Sequence, residues 1–401
     1  MVTSPDAVDL AVIGAGTAGC ALAASLRLGG WSGSLTLLEI GRGPGGRTAT
    51  RRSRRDPGFA LNHGAPLFNI SGKPEPKLLT PLRDAGWISP FSGAICSLDG
   101  EGRLGGALRD PLSSGATWQG TPQMDHLCRG LLNLAQRNQP TPLRTNTLVR
   151  QLEPIGHGEG WILRGSDGQA LLRCRWLVLS GTLLASPRCQ SVFGWSEVPL
   201  QQAAARLGDP QLLQATAALG DITSTASSNL LLTFSEASAG AWRQQPWQLL
   251  QFSAAAQQRW GIRRVSQQAM AGGRWGVVVE SSPAFAAQHM QVFGSRSSAA
   301  QLLGAGPDPL AEAQVMQALD QAVQDALQIN TAGAERQLMR WGAAFPQTPG
   351  LSFELSLCAN SRIGFCGDAI AGLGFGRVEG ALRSAEALAD QIQELSPPSS
   401  H

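Results

Sequence analysis

The chain opens on a strand, a glycine-rich turn and a helix: Asp9-Leu-Ala-Val-Ile, then Gly14-Ala15-Gly16-Thr17-Ala18-Gly19, then Cys20-Ala-Leu-Ala-Ala. Glu39 follows Gly19 by 20 positions and closes the apolar run Leu35-Thr-Leu-Leu. Glycines at this spacing between strand and helix, with an acid at that distance, form the fingerprint of a β-α-β dinucleotide-binding unit. Gly14 permits the tight turn, Gly16 lets backbone approach a pyrophosphate, and Gly19 lets helix and strand pack closely. The pyrophosphate sits at the positive helix end that starts near Gly16, and Glu39 accepts hydrogen bonds from ribose hydroxyls. These residues predict an ADP-containing cofactor.

Composition removes several other classes. A chain of 401 residues with 43% hydrophobic content supports two domains with their own cores. A net charge of +3 is too small to argue for nucleic acid or an anionic membrane. No apolar run reaches the length of a membrane-spanning helix. The start, Met-Val-Thr-Ser-Pro-Asp, has no basic segment of signal-peptide type, so a cytoplasmic location is expected. Seven scattered cysteines without a CxxC spacing argue for reduced thiols, and against a disulfide frame or zinc site. Tyrosine is absent, and Lys73 and Lys77 are the only lysines. The sequence leaves the oligomeric state open.

Along the chain, Asp9–Ile13, a helix to about Leu28, and Leu35–Glu39 give the first β-α-β unit. A second glycine turn, Gly45-Gly46-Arg47, precedes the basic stretch Arg51-Arg-Ser-Arg-Arg55 and the segment His63-Gly64-Ala65-Pro-Leu-Phe68. Leu127, Leu131 and Leu134 predict a helix over 124–136. Strands are predicted from Leu148, over Gly160-Trp-Ile-Leu, and over Trp176–Ser180. From about Leu184 to Gln337, strands over 229–234, 248–252 and 275–280 mix with a helix over 311–327. This reads as a mostly antiparallel sheet with helices on one face. The chain then returns through the strand Arg362-Ile-Gly-Phe-Cys-Gly367 and a glycine-opened helix after Gly374-Phe-Gly376. The expected fold class is α/β: a Rossmann-like domain with an inserted α+β domain. Residues 1–72, 118–184 and 338–395 are assigned to the first domain, 73–117 and 185–337 to the second. Residues 396–401 read as a disordered tail.

The fingerprint alone does not separate NAD from FAD; the later segments favour FAD. Gly45, Gly46 and Arg47 lie where a second turn admits cofactor phosphates and flavin. Gly367-Asp368 lies at a strand end before the last helix, where an aspartate can bind a ribityl hydroxyl. Free N–H groups near Arg377 and Val378 can face the flavin N1–C2=O edge, which becomes negative on reduction.

Together these segments resemble the two-dinucleotide-binding flavoproteins of the amine oxidase and phytoene desaturase superfamily, and within it the renalase family. His63-Gly64-Ala65-Pro-Leu-Phe68, Arg340-Trp341-Gly-Ala343 and Val277-Val-Val-Glu-Ser-Ser-Pro283-Ala-Phe285 are similar to short renalase segments, with changes of the Tyr→Phe and Gln→Pro type. The likeness spans the whole chain and is weak over about 72–115 and 187–271. It implies a noncovalent FAD contacted by Gly14–Gly19, Glu39, Ile40, Gly45–Arg47, His63–Ala65, Val149, Gly367, Asp368 and Gly376–Val378. It also implies Trp341 and His63 as pocket residues, with a small substrate and O2 as partners. The reaction it implies is hydride removal from an electron-rich molecule, a misreduced nicotinamide isomer, with electrons passed to O2 to give peroxide. Such a dihydropyridine needs orientation and desolvation more than a strong base.

Amine oxidases of this superfamily usually place a lysine near flavin N5 and tyrosines around the amine. Here tyrosine is absent, and both lysines sit in one exposed-looking loop. An amine oxidase or desaturase on the same scaffold, and a non-catalytic FAD- or nucleotide-binding module, stand as alternatives. His63 is read either as a group bonded to cofactor or substrate or as a loop histidine, and Trp341 either as a flavin-face or a domain-interface aromatic. Arg51, Arg52, Arg54 and Arg55 are read as a solvated loop, or as a lure for a phosphorylated substrate. Cys366 is read as a small buried hydrophobe rather than a flavin thioether. Glu280 and His289 have no expected catalytic role.

Overall fold

The computed structural model describes residues 6–395 except 138, 157, 293 and 295–307. The expected tail, 396–401, lies outside the described residues.

Two sheets organise the molecule. In the first, strands run in the order Leu143–Arg144, Leu35–Leu38, Ala7–Ile13, Ala170–Leu179, Gly160–Arg164, Gln151–Ile155. Ile363–Phe365 also pairs with Ala170–Leu179, beside the antiparallel pair. The central pairings are parallel, with Ile13 opposite both Leu38 and Leu179. These strands are continuous apolar runs because helices cover both faces. On one face lie Thr17–Leu28, His126–Gln136 and Val378–Leu395; their buried Ala, Leu and Ile side chains form one core with Leu10, Val12 and Leu37. The first helix is apolar on nearly every side, as a helix enclosed between sheet and neighbouring helices must be.

The second sheet has the order Glu335–Pro346, Ser224–Phe234, Trp275–Ser281, Ile262–Ala269, Leu249–Phe252, Ile95–Leu98, Leu104–Gly106. All its pairings are antiparallel except Leu249–Phe252 with Ile95–Leu98. Side chains alternate along Ser224–Phe234. Leu230, Leu232 and Phe234 pack with Val315, Leu319 and Val323 of the helix Pro309–Leu327. Leu231 points the other way and packs with Val278, Met270, Phe59 and Leu61. The second face of this sheet is thereby turned toward the first domain.

The α/β architecture follows the sequence reading, but the chain divides differently from the expected boundaries. Glu335–Pro346 is the edge strand of the second sheet, so 338–346 does not belong to the first. The helices Arg188–Phe193, Pro199–Leu207 and Pro210–Asp221 pack their Cys189, Leu200, Ala203, Leu212 and Leu219 against the first sheet's Leu152, Trp161 and Leu179. Within 73–117, only Ile95–Leu98 and Leu104–Gly106 join the second sheet. Leu78, Leu82 and Ile88 belong to the core of the first.

Candidate functional site

Four parallel strands end at one edge, and the residues that follow them, Gly14, Glu39, Ser180 and Cys366, surround a crevice there. Crevices at the carboxyl ends of parallel strands are where open α/β sheets bind ligands. Gly14 has φ +105°, and a Cβ there would stand 2.5 Å from Ser180 Oγ. A Cβ on Gly19 would stand 2.1 Å from the Gly14 carbonyl oxygen. Both positions demand glycine to hold the turn itself. Gly16 differs: a Cβ there would meet nothing nearer than Gly46 Cα at 3.8 Å. Its glycine leaves a face open. The helix begins at Thr17 with no side-chain cap and no acid in its first turn, so its N-terminal N–H groups remain available to an anion. Ala15 and Ala18 are buried, and the Thr17 hydroxyl is turned toward Thr48 and Cys128.

Glu39 closes this turn from inside. Its carboxylate accepts from the N–H groups of Ala15 (2.8 Å) and Gly41 (2.6 Å). Burial raises its pKa and these two bonds pull against the rise. The next residue, Ile40, is half-buried. The N–H of Thr147 donates to the Glu39 carbonyl (2.9 Å), which brings the segment leading to buried Val149 alongside.

The second glycine turn lies directly on the first. Gly45 N–H donates to the Ala15 carbonyl (2.9 Å), and a Cβ on Gly46 would approach Gly16 Cα to 3.1 Å. Gly45 and Gly46 have φ of +145° and +52°, which glycine adopts at little cost. Arg47, next in line, reaches the far end of the chain. Its guanidinium donates to both carboxylate oxygens of Asp368, one at 2.7 Å, and to the Ala344 carbonyl at 3.1 Å. The sequence reading placed Arg47 at cofactor phosphates and Asp368 at a ribityl hydroxyl; in the structure these two side chains hold each other. The Arg47 carbonyl in turn accepts from Ala65 N–H (2.9 Å), and a Cβ on Gly64 would lie 2.0 Å from that carbonyl oxygen.

The last helix, Val378–Leu395, is led in by Gly367, Gly374 and Gly376, all at positive φ. Gly376 N–H donates to the Asp368 carbonyl (2.8 Å), so the acid and the helix start form one turn. Arg377 corrects an expectation. Its N–H is already donated to the Gly374 carbonyl, and its guanidinium goes to Ser71 Oγ and Glu379. Free donors at this helix end therefore start at Val378, not Arg377. Glu379, fully buried, accepts from Ser71 N–H, Ser71 Oγ and Gly72 N–H and ties the segment after Phe68–Ile70 to the helix.

An aromatic wall forms where the His63 segment meets the edge strand of the second sheet. His63 and Trp341 stack with centroids 5.2 Å apart and planes 7° apart. The His63 carbonyl accepts from both Trp341 Nε1 (3.1 Å) and Asn229 Nδ2 (2.9 Å). The His63 ring is buried, and its Nδ1 has no hydrogen-bond partner among the described residues. Burial, with the charge of Arg51, pushes its pKa down to about 3, so the imidazole is neutral at ordinary pH. Asn229 carried no sequence signal that set it apart from other strand polar residues.

The remaining candidates separate cleanly. Cys366 is buried and its thiol is pushed up to about 12 by burial, which leaves little thiolate for bonding to a cofactor. Lys73 pairs with Glu75 and Lys77 with Asp390, all exposed or nearly so. Arg52 donates to both oxygens of buried Asp125 (2.9 and 3.0 Å) and is not a free surface charge. Arg54 and Arg55 are exposed. Glu280 is buried and holds Arg263 and Arg264. His289 packs on Phe285, with ring centroids 4.6 Å apart. Among the described residues, no cluster of His, Cys, Asp and Glu could hold a metal ion, and no helix is long and apolar enough to cross a membrane.

Comparison with known proteins agrees with this architecture. Residues 12–81 match the family described as NAD(P)-binding Rossmann-like domain. No curated protein sequence matches the chain. Among solved structures, a protein from Exiguobacterium sp. 255-15 described as a protoporphyrinogen oxidase is similar with a TM-score of 0.62 at 12% identity, over 98% of this chain and 100% of that one. Cyclohexylamine oxidase from Brevibacterium oxydans IH-35A is similar at 0.61 and 13% identity, over 98% and 99%. Putrescine oxidase bound to putrescine is similar at 0.55 and 13% identity, over 98% and 100%. From end to end, the chain has the fold of these oxidases, with a Rossmann-like nucleotide-binding region at its front.

Proposed function

We propose that the protein is a flavin-dependent oxidoreductase that binds FAD noncovalently and oxidises a small electron-rich substrate, a renalase-like dihydro-NAD(P) isomer. The observation that carries this reading is the meeting of the two glycine-rich ends in one crevice, locked by Arg47 and Asp368. The residues present suit FAD. The open face at Gly16 and the uncapped helix after it accept a pyrophosphate. Glu39 keeps lone pairs for ribose hydroxyls. The Gly376–Val378 turn and the His63–Ala65 loop bound the end at which a flavin ring would lie. When bound, FAD supplies the acceptor for a hydride and passes the electron pair to O2 as H2O2.

The protein's own part is positioning. His63 is neutral and buried, so it offers a hydrogen-bonding nitrogen without a charge, and the Trp341 ring stacked on it gives a flat wall that excludes water. A dihydronicotinamide becomes aromatic on losing hydride and needs no base, which fits a wall of this kind.

Amine oxidation is the second reading, favoured by the same stacked aromatic pair and by the likeness to cyclohexylamine and putrescine oxidases. Both lysines are engaged in surface ion pairs, Lys73 with Glu75 and Lys77 with Asp390. Anaerobic mixing of the FAD-loaded protein with 2- or 6-dihydro-NAD(P) and, separately, with benzylamine decides between them. Bleaching by the nicotinamide isomers alone supports the first reading; bleaching by benzylamine alone supports the second.

A further inference from the structure

A cavity of about 190 Å³ lies beside the Arg47–Asp368 pair, between the end of Ile363–Phe365 and the edge strand of the second sheet. Its walls are mainly Leu, Ile, Phe and Ala side chains, and its polar lining includes Arg47, Asp368, Thr182, Ser224 and Arg188. Ala343, two residues beyond Trp341, also lines it, which places the cavity at the junction of the two domains.

Arg188 is the unusual member. It is partly buried, and among the described residues its guanidinium has neither an ion pair nor a hydrogen bond; its backbone alone is engaged, the N–H donating to Ser186 Oγ and the carbonyl accepting from Ser191 Oγ. Like charges gather around it. A Cβ built on Gly342 would lie 3.0 Å from Arg188 Nη1 and 4.0 Å from Arg340 Nη2, so both guanidiniums lie close to the same glycine. Arg47 stands on the same cavity wall. Asp368, the only carboxylate of the lining among the described residues, is committed to Arg47. Burial, followed by the charges of Arg340 and Arg47, lowers the Arg188 pKa.

A partly buried cation beside like charges, with no carboxylate left to it, is unfavourable unless an anion completes the set. A guanidinium fork suits a carboxylate or phosphate with two parallel N–H···O bonds. We propose that Arg188 anchors the acidic group, phosphate or carboxylate, of the substrate in this cavity. The proposal rests on the reading of the protein as an oxidoreductase of small molecules. It places the anion contact at the domain junction and not in the Arg51–Arg55 loop, where Arg52 is already paired.

The test uses the purified protein supplemented with FAD. Thermal midpoint and flavin difference spectrum are followed during titration with inorganic phosphate, with benzoate, and with benzyl alcohol as a neutral control, all at ionic strength matched with chloride. Wild type, Arg188→Gln and Arg188→Lys are compared, and FAD content is measured for each. The expected result is saturable binding of at least one anion by the wild type and none of benzyl alcohol. Arg188→Gln then weakens that anion at least ten-fold, Arg188→Lys weakens it less, and FAD content is unchanged. Preference for phosphate assigns a phosphate-bearing substrate, and preference for benzoate a carboxylate. Equal anion affinity in wild type and Arg188→Gln, or no binding by the wild type, overturns the proposal. Loss of FAD in step with loss of the anion response also overturns it, since Arg188 then serves the cofactor. If the wild type takes up no FAD, the oxidoreductase reading fails, while the thermal titration still decides whether Arg188 binds the anion.

Discussion

The guanidinium of Arg47 grips both carboxylate oxygens of Asp368 across 321 positions of sequence, and this pair closes the crevice between the first and last glycine-rich turns. Arg47 is partly exposed, so solvent screens part of the interaction. Asp368→Ala leaves the guanidinium, among the described residues, with only the Ala344 carbonyl. The expected loss is about 1.5–3 kcal/mol, typical of hydrogen bonds to charged groups, read as a lower urea midpoint with unchanged slope. FAD affinity should fall with it. An unchanged midpoint would mean that the pair does not hold the two ends together.

Gly16 and Gly19 should respond to the same substitution in different ways. Gly19→Ala puts a methyl 2.1 Å from a backbone oxygen, which forces strand and helix apart. A loss of about 1–3 kcal/mol is expected from such overpacking. Gly16→Ala meets no protein atom closer than 3.8 Å, so cofactor-free stability should stay within about 0.5 kcal/mol of wild type. FAD affinity should nonetheless drop about ten-fold or more, roughly 1.4 kcal/mol, since the methyl would fill the open face proposed for the pyrophosphate. Thermal melts and FAD titrations of the two variants separate these effects.

His63 makes stability depend on pH. Its folded pKa, about 3, lies far below its ordinary 6.5. Between those values the unfolded chain binds a proton that the folded one does not, so stability is present above 6.5 and is lost as pH falls. From pH 7 to pH 5 this one group should cost about 2 kcal/mol. His63→Phe keeps a ring against Trp341 and removes the titration. The difference between variant and wild-type urea midpoints across that range gives the effect directly; parallel curves would contradict a buried neutral imidazole.

Trp341→Ala removes both the stacked ring and the Nε1–H donated to the His63 carbonyl. If this ring walls the substrate pocket, the variant should still bind FAD while its anaerobic reduction by dihydro-NAD(P) isomers slows ten-fold or more. Stopped-flow absorbance measures this. A variant that reduces at the wild-type rate makes Trp341 a domain-interface aromatic and no more.

The parts of the site written in local backbone demands were legible in the sequence. Gly14, Gly19, Gly45 and Gly46 sit where a side chain would collide or where φ is positive, and such positions mark themselves by glycine alone. Glu39 is likewise fixed by its distance from the turn. What depended on distant partners was not legible. The pairing of Arg47 with Asp368 needs the fold to bring its two ends together. The edge strand Glu335–Pro346 has its pattern broken by Gly342-Ala-Ala and by a register shift opposite Thr225 and Ser227, so nothing local marks it as a strand of the second sheet. Pro199–Leu207 and Pro210–Asp221 carry clear local signals, proline at both starts and an Asp209 cap, yet nothing local says which sheet their apolar faces will cover. Arg188 was overlooked for the same reason: its meaning lies in the neighbours that three separate segments bring to it.

The most direct test is the flavin content of the purified wild-type protein, followed by titration with added FAD and acid precipitation. The account predicts a yellow protein that binds about one FAD per chain, releases all of it into the acid supernatant, and binds FAD more weakly in Gly16→Ala and Asp368→Ala. A colourless, well-folded protein that takes up no FAD would contradict it.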